Sequence, residues 1–244
     1  MPGLDWLVAR PVAHRALHDA AAGVIENAPS AVVAAVAGDY AIEVDLRLSA
    51  DGEAMVHHDA ELGRLQEASG RLDALTADEL RRIPYRGTGD RILTLGDLLD
   101  LVGGHVPLLL ELKSRFDGDA LLPRRVAEVV QSYAGPVAAM SFDPRQVEAL
   151  HALAPGLPRG LIGQRVRRRR QSQATQGAGA YLLHAARSRP HFIAYNVHDL
   201  PAAGPLLAHY VLGMPLLTWT VRTAADRVRA GRWADQMIFE GFRP

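Results

Sequence analysis

The feature that most constrains the fold is the alternation of short apolar runs with helical patterns along most of the chain. Alternation of this kind indicates parallel strands covered by helices on the outside. The number of strands and the length of 244 residues, close to the ~250 typical of eight-stranded α/β barrels, favour a closed (β/α)8 TIM barrel over an open sheet. The predicted strands cover residues 11–14, 40–48, 54–57, 107–112, 137–141, 158–162, 192–195, 214–220 and 236–239, and the predicted helices cover residues 28–37, 95–102, 123–133, 143–153, 199–210 and 223–230.

Two segments depart from this alternation. Residues 59–94 are rich in turns and charge, with one short helix that the capping-box spacing of Thr76 and Glu79 predicts. We therefore expect a single domain over residues 1–244, with a small inserted subdomain at 59–94 after the second barrel strand region. No helical pattern follows the last strand, so the final helix is predicted to be missing or short. The run Arg167 to Arg170 is interpreted as a solvated helix face, because few other basic residues surround it.

The composition excludes several classes of protein. The chain has 27 basic and 27 acidic residues, so no net field attracts nucleic acid or a membrane surface. It has no cysteine, which excludes disulfides and thiolate sites and favours a reducing compartment. No apolar stretch approaches the ~20 residues of a membrane span. We therefore predict a cytoplasmic protein with a small-molecule substrate, no nucleic acid partner and no stable membrane insertion, and leave homo-oligomer formation open.

Acidic residues interrupt two of the most apolar strands. Glu43 and Asp45 alternate with apolar residues in A-I-E-V-D-L-R-L, so both lie on one face of a strand. An edge strand with one face in water would explain this pattern, but strands of parallel α/β sheets are usually buried on both sides. Glu111 lies in L-L-L-E-L-K, with Lys113 on the same face. A buried carboxylate needs a cation, which leaves two interpretations: a hard divalent metal together with the lysine, or a plain salt bridge.

Two histidines complete a candidate site. His14 and His58 each end an apolar run and are followed by a charged residue, Arg15 and Asp59, so both are predicted to emerge where a strand ends. Barrel enzymes carry their active sites at the carboxyl ends of the strands, and two imidazoles can exchange protons near neutral pH. His57 is a rival to His58, since alternation points only one of the two inward. The pattern alone does not choose between them.

Seven motifs, taken in order, resemble those of the glycerophosphodiester phosphodiesterases: H-R-A-L-H-D with I-E-N-A, E-V-D, V-H-H-D-A-E-L-G-R-L, L-T-L-G-D-L-L, L-E-L-K, S-F-D and W-T-V. The resemblance runs from about residue 12 to residue 243. It implies a TIM barrel with a small insertion. It also implies metal-dependent hydrolysis of glycerophosphodiesters to sn-glycerol 3-phosphate and an alcohol, by two-histidine acid–base catalysis.

The resemblance also implies a role for individual residues, carried over motif by motif. The glycerol 2-hydroxyl would attack first, and water would then open the resulting cyclic phosphate. Which histidine is the base and which the acid stays open. The implied roles are metal ligands for Mg²⁺ or Ca²⁺ at Glu43, Asp45 and Glu111, support of that site at Glu26, acid–base catalysis at His14 and His58, phosphate binding at Arg15 and Lys113, and packing beside glycerol at Trp219.

The chain departs from the family pattern at four places. Ala16 replaces the usual glycine after His-Arg, Ile25 replaces a proline, and Arg222 replaces the asparagine after W-T-V. The end reads F-E-G-F-R-P, where a Thr-Asp pair usually precedes Arg-Pro. None of these changes removes an implied catalytic or metal residue. They leave the preferred alcohol head group, the native ion and the shape of the substrate pocket open.

Two other functions remain as alternatives. One is a phospholipase D-type enzyme of the same superfamily that acts on lysophospholipids or sphingolipids. Its secreted toxin members depend on disulfides, which this chain cannot form, and the substantial segment 59–94 also favours the diesterase. The other is a non-catalytic barrel that binds phosphodiesters, an interpretation raised by the altered C-terminal motif. The intact histidine pair and the three acids argue against it.

Overall fold

Eight parallel strands form a closed barrel in the structure, a computed structural model that describes residues 3–165 and 185–244. Hydrogen bonding runs from strand to strand round the barrel, and the first strand closes the ring by pairing with both the second and the last. The predicted TIM barrel is confirmed, whereas the interpretation of Arg167 to Arg170 lies outside the described residues. The barrel strands are β1 (Val12–Ala13), β2 (Ala41–Leu48), β6 (Leu108–Leu112), β7 (Val137–Ser141), β8 (Arg159–Gly163), β9 (Phe192–Asn196), β10 (Leu216–Val221) and β11 (Gln236–Phe239).

Helices surround the barrel, and their ends follow local capping rules. Asp143 accepts a hydrogen bond from the backbone of the helix that begins with Pro144. The predicted capping box of Thr76 and Glu79 is confirmed. The helices are α1 (Asp5–Val8), α2 (Pro29–Ala37), α3 (Ala77–Leu80), α4 (Leu95–Val102), α5 (Leu121–Val130), α6 (Pro144–Leu153), α7 (Ala203–Tyr210) and α8 (Ala224–Trp233), and residues 185–188 are also helical.

One predicted helix begins later than its sequence pattern suggests. The predicted start of helix 199–210 is displaced to Ala203. A 3₁₀ turn over Val197–Asp199, closed by the side chain of Asn196, occupies the expected start. Residues 240–244, all described, form no helix after β11. Within the described residues, no helix has both the length and the apolar character required to cross a membrane.

Side chains along β2 alternate between the hydrophobic core outside the barrel and the barrel interior. Ile42, Val44 and Leu46 point outward and pack in the main hydrophobic core beneath the helices. Glu43 and Asp45 point into the barrel, where both are buried. The strand is therefore not an edge strand, since it pairs with β1 and β6 in the closed ring.

The lower part of the barrel interior is apolar. Leu109, Ala138, Met140, Ile162 and Phe192 form part of a second buried cluster. The ring of Phe192 fills space above Gly160, where a Cβ would lie 2.3 Å from the ring. A glycine is needed there because any larger side chain would displace the phenyl group. The polar groups thus lie above an apolar floor.

The segment after β2 differs from a simple strand–helix unit. The strand before His58 is β3 (Ala54–Val56), which runs antiparallel to β2 and returns along its extended end. It does not join the parallel barrel that the alternation predicted. A two-stranded hairpin follows, formed by β4 (Glu61–Leu62) and β5 (Gly70–Arg71). This segment has its own buried cluster, which comprises Ala28, Met55, Leu62, Leu72, Leu80, Tyr85 and Ile92.

Candidate active site

Three carboxylates converge at the carboxyl ends of β2 and β6. Asp45 pairs with Glu111 across the two strands, and Glu43 lies two residues earlier on the same face. One oxygen from each of the three acids lies within 4.8 Å of the others. Lys113 Nζ lies 2.7 Å from Asp45 Oδ1 and also donates to Glu111. A barrel register that aligns β2 with β6 therefore brings together acids that lie 66 residues apart (Asp45 and Glu111).

The donor set fits a hard divalent cation. Glu43 Oε1 is buried and accepts no hydrogen bond from any described residue. Burial and the neighbouring Asp45 carboxylate raise the pKa of Glu43 to about 7. Burial also raises the pKa of Glu111, although Lys113 opposes this. Buried carboxylates held this close repel one another, and Mg²⁺ and Ca²⁺ both take carboxylate oxygens as ligands. These three acids could therefore hold either ion.

Arg15 lies directly beside the carboxylates. Its backbone N–H donates to Glu43 Oε2 over 2.8 Å, and its Nε lies 3.4 Å from Asp45 Oδ2. The chain turns here in the left-handed region, with φ of 54° at Arg15 and 64° at Ala16. Alanine in that region costs roughly 1 kcal/mol relative to glycine. The turn nevertheless forms, with Ala16 N–H donating to the carbonyl of Glu43 over 2.9 Å.

Glu26, implied by the resemblance to support the metal, bonds to two arginines. Its Oε1 accepts from Arg15 Nη1 over 2.8 Å and from Arg64 Nη2 over 2.6 Å. Burial alone would raise the pKa of Glu26, but the hydrogen bond from Arg64 and the charge of Arg15 lower it. Glu26 therefore lies beside the three-carboxylate cluster and holds Arg15 against it. It also ties the barrel to the inserted segment.

His14, which follows β1, is held by a carboxylate that directly follows the last strand. Its Nδ1 lies 2.8 Å from Glu240 Oε2, the atom that also accepts from Arg222 over 2.8 Å. Because a carboxylate only accepts, Nδ1 is the donor. The Nε2 atom remains for substrate. Arg222 and the altered C-terminal motif, which contains Glu240, thus meet through this ion pair beside His14.

His58 has an equivalent arrangement. Its Nδ1 lies 2.7 Å from Asp59 Oδ1, while Arg64 Nε donates to the other oxygen of Asp59. His57 is instead buried against the inserted segment, where its Nδ1 lies 2.9 Å from the carbonyl of Asp59 and its Nε2 lies 3.0 Å from Gln66 Nε2. The structure therefore places His58 in the pocket and turns His57 away from it.

The two pocket histidines differ in electrostatic environment. Burial would lower the pKa of His14, but the hydrogen bond to Glu240 and the charge of Glu43 outweigh it and raise the pKa above its ordinary value. For His58, burial outweighs the attraction of Asp45, and the pKa is lowered. The paired arrangement thus supplies two imidazoles that are biased toward opposite protonation states in the metal-free protein.

Both pocket histidines, both cations and two of the three clustered acids, Glu43 and Glu111, line one cavity of about 220 Å³. Trp219 and Phe142 meet edge to face on its apolar side, with ring centroids 5.4 Å apart. Trp219 Nε1 is buried and has no acceptor among the described residues, so it could donate to a bound hydroxyl. A larger groove of about 750 Å³ runs along the outside between α5 and α6, but none of the residues above lines it. The residues that line the smaller cavity are His14, Arg15, Glu43, His58, Glu111, Lys113, Met140, Phe142, Ile162, Trp219, Thr220, Arg222 and Ile238.

Comparison with known proteins agrees with this geometry. Residues 14–242 match the Glycerophosphoryl diester phosphodiesterase family. The chain belongs to this family. It is accordingly an enzyme of the phosphodiesterase class. The glycerophosphodiester phosphodiesterase of Bacillus subtilis (strain 168) is 23% identical over 223 residues, which cover 82% of this chain and 73% of that protein. A probable glycerophosphodiester phosphodiesterase 1 of Mycobacterium tuberculosis (strain ATCC 25618 / H37Rv) is 29% identical over 161 residues, 57% of this chain and 59% of that protein.

Solved structures show the same barrel. An Oleispira antarctica phosphodiesterase in complex with the product sn-glycerol-3-phosphate superposes with a TM-score of 0.78 at 17% identity, covering 96% of this chain and 94% of that one. A putative glycerophosphoryl diester phosphodiesterase from Silicibacter pomeroyi DSS-3 gives 0.77 at 24% identity, over 94% and 89% of the two chains. At these identities the likeness establishes the shared fold.

Sequence reasoning missed several residues that hold this family member's site together. Asn27 is buried, and its Nδ2 donates to Asp45 Oδ2 over 2.9 Å while its Oδ1 accepts from the Asp45 backbone. It adopts φ of 59°, a conformation that asparagine tolerates. Its signal was the I-E-N-A motif itself. Glu240 gave no local signal, because it contacts His14 from 226 residues away. Arg64 gave none because its partner Glu26 lies in a different segment.

Replacing Glu240 with glutamine is expected to lower both the pKa of His14 and kcat. Without the carboxylate, burial of the ring is opposed only by weaker charges, so the pKa should fall below its ordinary value. The kcat loss should reach at least about tenfold, with the about 10⁴-fold loss for an orienting carboxylate in a catalytic triad as the upper limit. NMR titration of the imidazole protons in metal-free protein measures the first effect, and Glu240→Asp should restore part of both. An unchanged His14 titration in Glu240→Gln would contradict the assigned contact.

Proposed function

We propose that this enzyme hydrolyses glycerophosphodiesters to sn-glycerol 3-phosphate and an alcohol, with a divalent metal and two-histidine acid–base catalysis. The observation that carries the proposal is the convergence of a three-carboxylate cluster, two cations and two carboxylate-bound histidines in one cavity. The product complex of the Oleispira antarctica enzyme supports the proposed product. The cysteine-free sequence supports a reducing, cytoplasmic compartment.

Each group of residues has a distinct task in this proposal. Glu43, Asp45 and Glu111 would hold Mg²⁺ or Ca²⁺, which when bound neutralises charge on the phosphate oxygens. Arg15 offers a planar fork of donors to two phosphate oxygens, and Lys113 a compact charge. The glycerol packs against Trp219 on the apolar side of the cavity, as the family resemblance implies. The substrate is thereby oriented before any bond changes.

The histidines move the protons. One imidazole takes the proton of the glycerol 2-hydroxyl as its oxygen bonds to phosphorus, and the other donates a proton to the alcohol oxygen as its bond to phosphorus breaks. The resulting cyclic phosphate is then opened by water, with the two imidazoles in reversed roles. Binding of Nδ1 to Glu240 or Asp59 holds each ring with Nε2 free for this exchange.

A coupled assay for glycerol 3-phosphate tests the function. The substrates are glycerophosphocholine, glycerophosphoethanolamine and glycerophosphoglycerol, each with and without EDTA. The proposal requires release that depends on added Mg²⁺ or Ca²⁺. Binding of these diesters without release under any metal condition would identify a binding barrel instead, and release from lysophospholipids alone would identify the phospholipase D-type alternative.

The two residues proposed to bind phosphate, Arg15 and Lys113, give a separate prediction. Arg15→Gln is expected to weaken binding of sn-glycerol 3-phosphate and inorganic phosphate with little change in metal affinity, because Arg15 adds donors rather than ligands. Lys113→Met should do the same, although Lys113 also contacts Asp45 and Glu111. Calorimetric titration of metal, then of glycerol 3-phosphate, measures both. Lost metal binding beside unchanged phosphate binding would leave the two cations as charge balance for the carboxylates.

A further inference from the structure

A second cavity adjoins the reaction pocket. It measures about 340 Å³ and lies between the inserted segment and the loop that follows β6. Lys113 lines both cavities. In the proposed function the glycerol packs toward Trp219, so a group on the opposite side of a phosphate at Lys113 would extend into the second cavity. That group is the alcohol that leaves during hydrolysis.

Arg47 is the unusual residue of this cavity. It lies on β2 two positions beyond Asp45, on the same face as both β2 acids. Its Nε donates to the backbone carbonyl of His58 over 2.7 Å, and its terminal nitrogens have no hydrogen-bonding or ion-pair partner among the described residues. Its guanidinium is partly buried and lines the cavity. A guanidinium in this position has donors free for an anion.

The other charges of the cavity already have partners. Asp73 pairs with both Arg71 and Arg115. Asp117 accepts from the backbone N–H of Asp119 over 3.0 Å. Asp119 in turn accepts from the N–H of Leu121 over 2.9 Å, at the start of α5. The carboxylates of the cavity are thus engaged locally, and Arg47 alone of its cations lacks a carboxylate contact within the described residues.

We propose that this cavity is the head-group subsite, and that Arg47 binds a carboxylate or phosphate on the leaving alcohol. This inference rests on the proposed function and gives it a substrate class: glycerophosphodiesters whose head group carries a second anion. The planar fork of Arg47 suits two oxygens of one anionic group. Its Nε bond to the carbonyl of His58 fixes the fork beside the catalytic ring.

The test compares kcat/KM for four substrates in the wild type, Arg47→Gln and Arg47→Lys. Glycerophosphoserine carries a carboxylate beside an ammonium, glycerophosphoinositol 4-phosphate a phosphate, glycerophosphoglycerol no added charge and glycerophosphocholine a cation alone. Arg47→Gln should lower every rate, because the bond to His58 is also lost. The two anionic substrates should fall about tenfold to a hundredfold further, the usual range for a lost charged hydrogen bond. Arg47→Lys should retain part of the preference.

The matched control is Arg86→Gln, which removes one positive charge from the same inserted segment outside the cavity. It should leave the ratio of anionic to cationic substrates unchanged. Comparison of glycerophosphoserine with glycerophosphoinositol 4-phosphate shows whether the Arg47 guanidinium binds a carboxylate or a phosphate. An equal fall for all four substrates in Arg47→Gln would overturn the subsite and leave Arg47 as a positioning residue for His58.

A binding measurement separates this inference from the proposed function. In the His14→Ala background, where turnover is lowered by about 10²–10⁴-fold, calorimetry of glycerophosphoserine and glycerophosphocholine reports the subsite directly. If the wild type releases no glycerol 3-phosphate, the proposed function fails, and preferential binding of glycerophosphoserine that depends on Arg47 would still support the subsite. Equal binding of the two ligands would contradict it.

Discussion

Replacing Glu43 with glutamine is expected to abolish turnover and, at the same time, to stabilise the metal-free protein. The variant loses a carboxylate ligand, so kcat/KM should fall by at least the about 10²–10³-fold cost of losing one electrostatic stabiliser. The metal-free fold, however, loses one of three buried negative charges that lie within 4.8 Å of one another. The gain should be about 1–3 kcal/mol, with roughly 2–4 °C of Tm for each kcal/mol at this chain length.

The pH dependence gives this prediction a definite sign. The pKa of Glu43 is raised to about 7 in the folded state, above its unfolded value of roughly 4.3. Between these two pKa values the folded state holds a proton that the unfolded state has released. The contribution of Glu43 to the free energy of unfolding is therefore fully present below the unfolded pKa and is lost as pH rises through about 7. The advantage of Glu43→Gln should be small at pH 5 and largest at pH 8, in EDTA, as followed by thermal unfolding.

Metal titration and a matched variant complete this experiment. Wild-type protein should gain stability on adding Mg²⁺ or Ca²⁺, by about 2.7 kcal/mol when the ion is at a hundred times its Kd. Glu43→Gln should lose most of that gain. The control is Glu61→Gln, an exposed glutamate on β4, which should change neither activity nor metal response. Full activity of Glu43→Gln, or of the EDTA-treated wild type, would contradict the proposed metal site.

His14→Ala and His58→Ala should each lower kcat by about 10²–10⁴-fold, the usual cost of losing a general acid or base. Both variants should remain folded, because these rings lie in the cavity at strand ends. His57→Ala should instead cost stability, since His57 is buried and bonds Gln66 and the carbonyl of Asp59 in the inserted segment.

The three variants form an internal comparison of the assignment. Kinetics and thermal unfolding are measured on each, with metal present. If His57→Ala lost activity while His58→Ala remained active, His57 rather than His58 would face the pocket. An equal loss of stability in all three variants would mean that the pocket rings serve the fold rather than proton transfer.

The sequence alone determined the barrel and which acidic side chains face into it. Period-two alternation on β2 placed Glu43 and Asp45 on one face, and the position of Glu111 in an apolar run predicted a buried acid with Lys113 beside it. These inferences held because they depend on spacing within one strand, which the backbone geometry fixes. The family resemblance then supplied the order of the motifs, and the closed parallel barrel confirmed the fold.

Only the tertiary structure decided which contacts join distant segments. The strand pattern left His57 and His58 open, and the family resemblance implied His58. The placement of the two rings follows from β3, which returns antiparallel along β2 rather than continuing the barrel. Glu240 reaches His14 across 226 residues of sequence because β11 pairs with β1. Local spacing carries no information about such pairings, because ring closure sets them. The sequence therefore determined which residues face inward along each strand, and the closure of the barrel decided which of them meet.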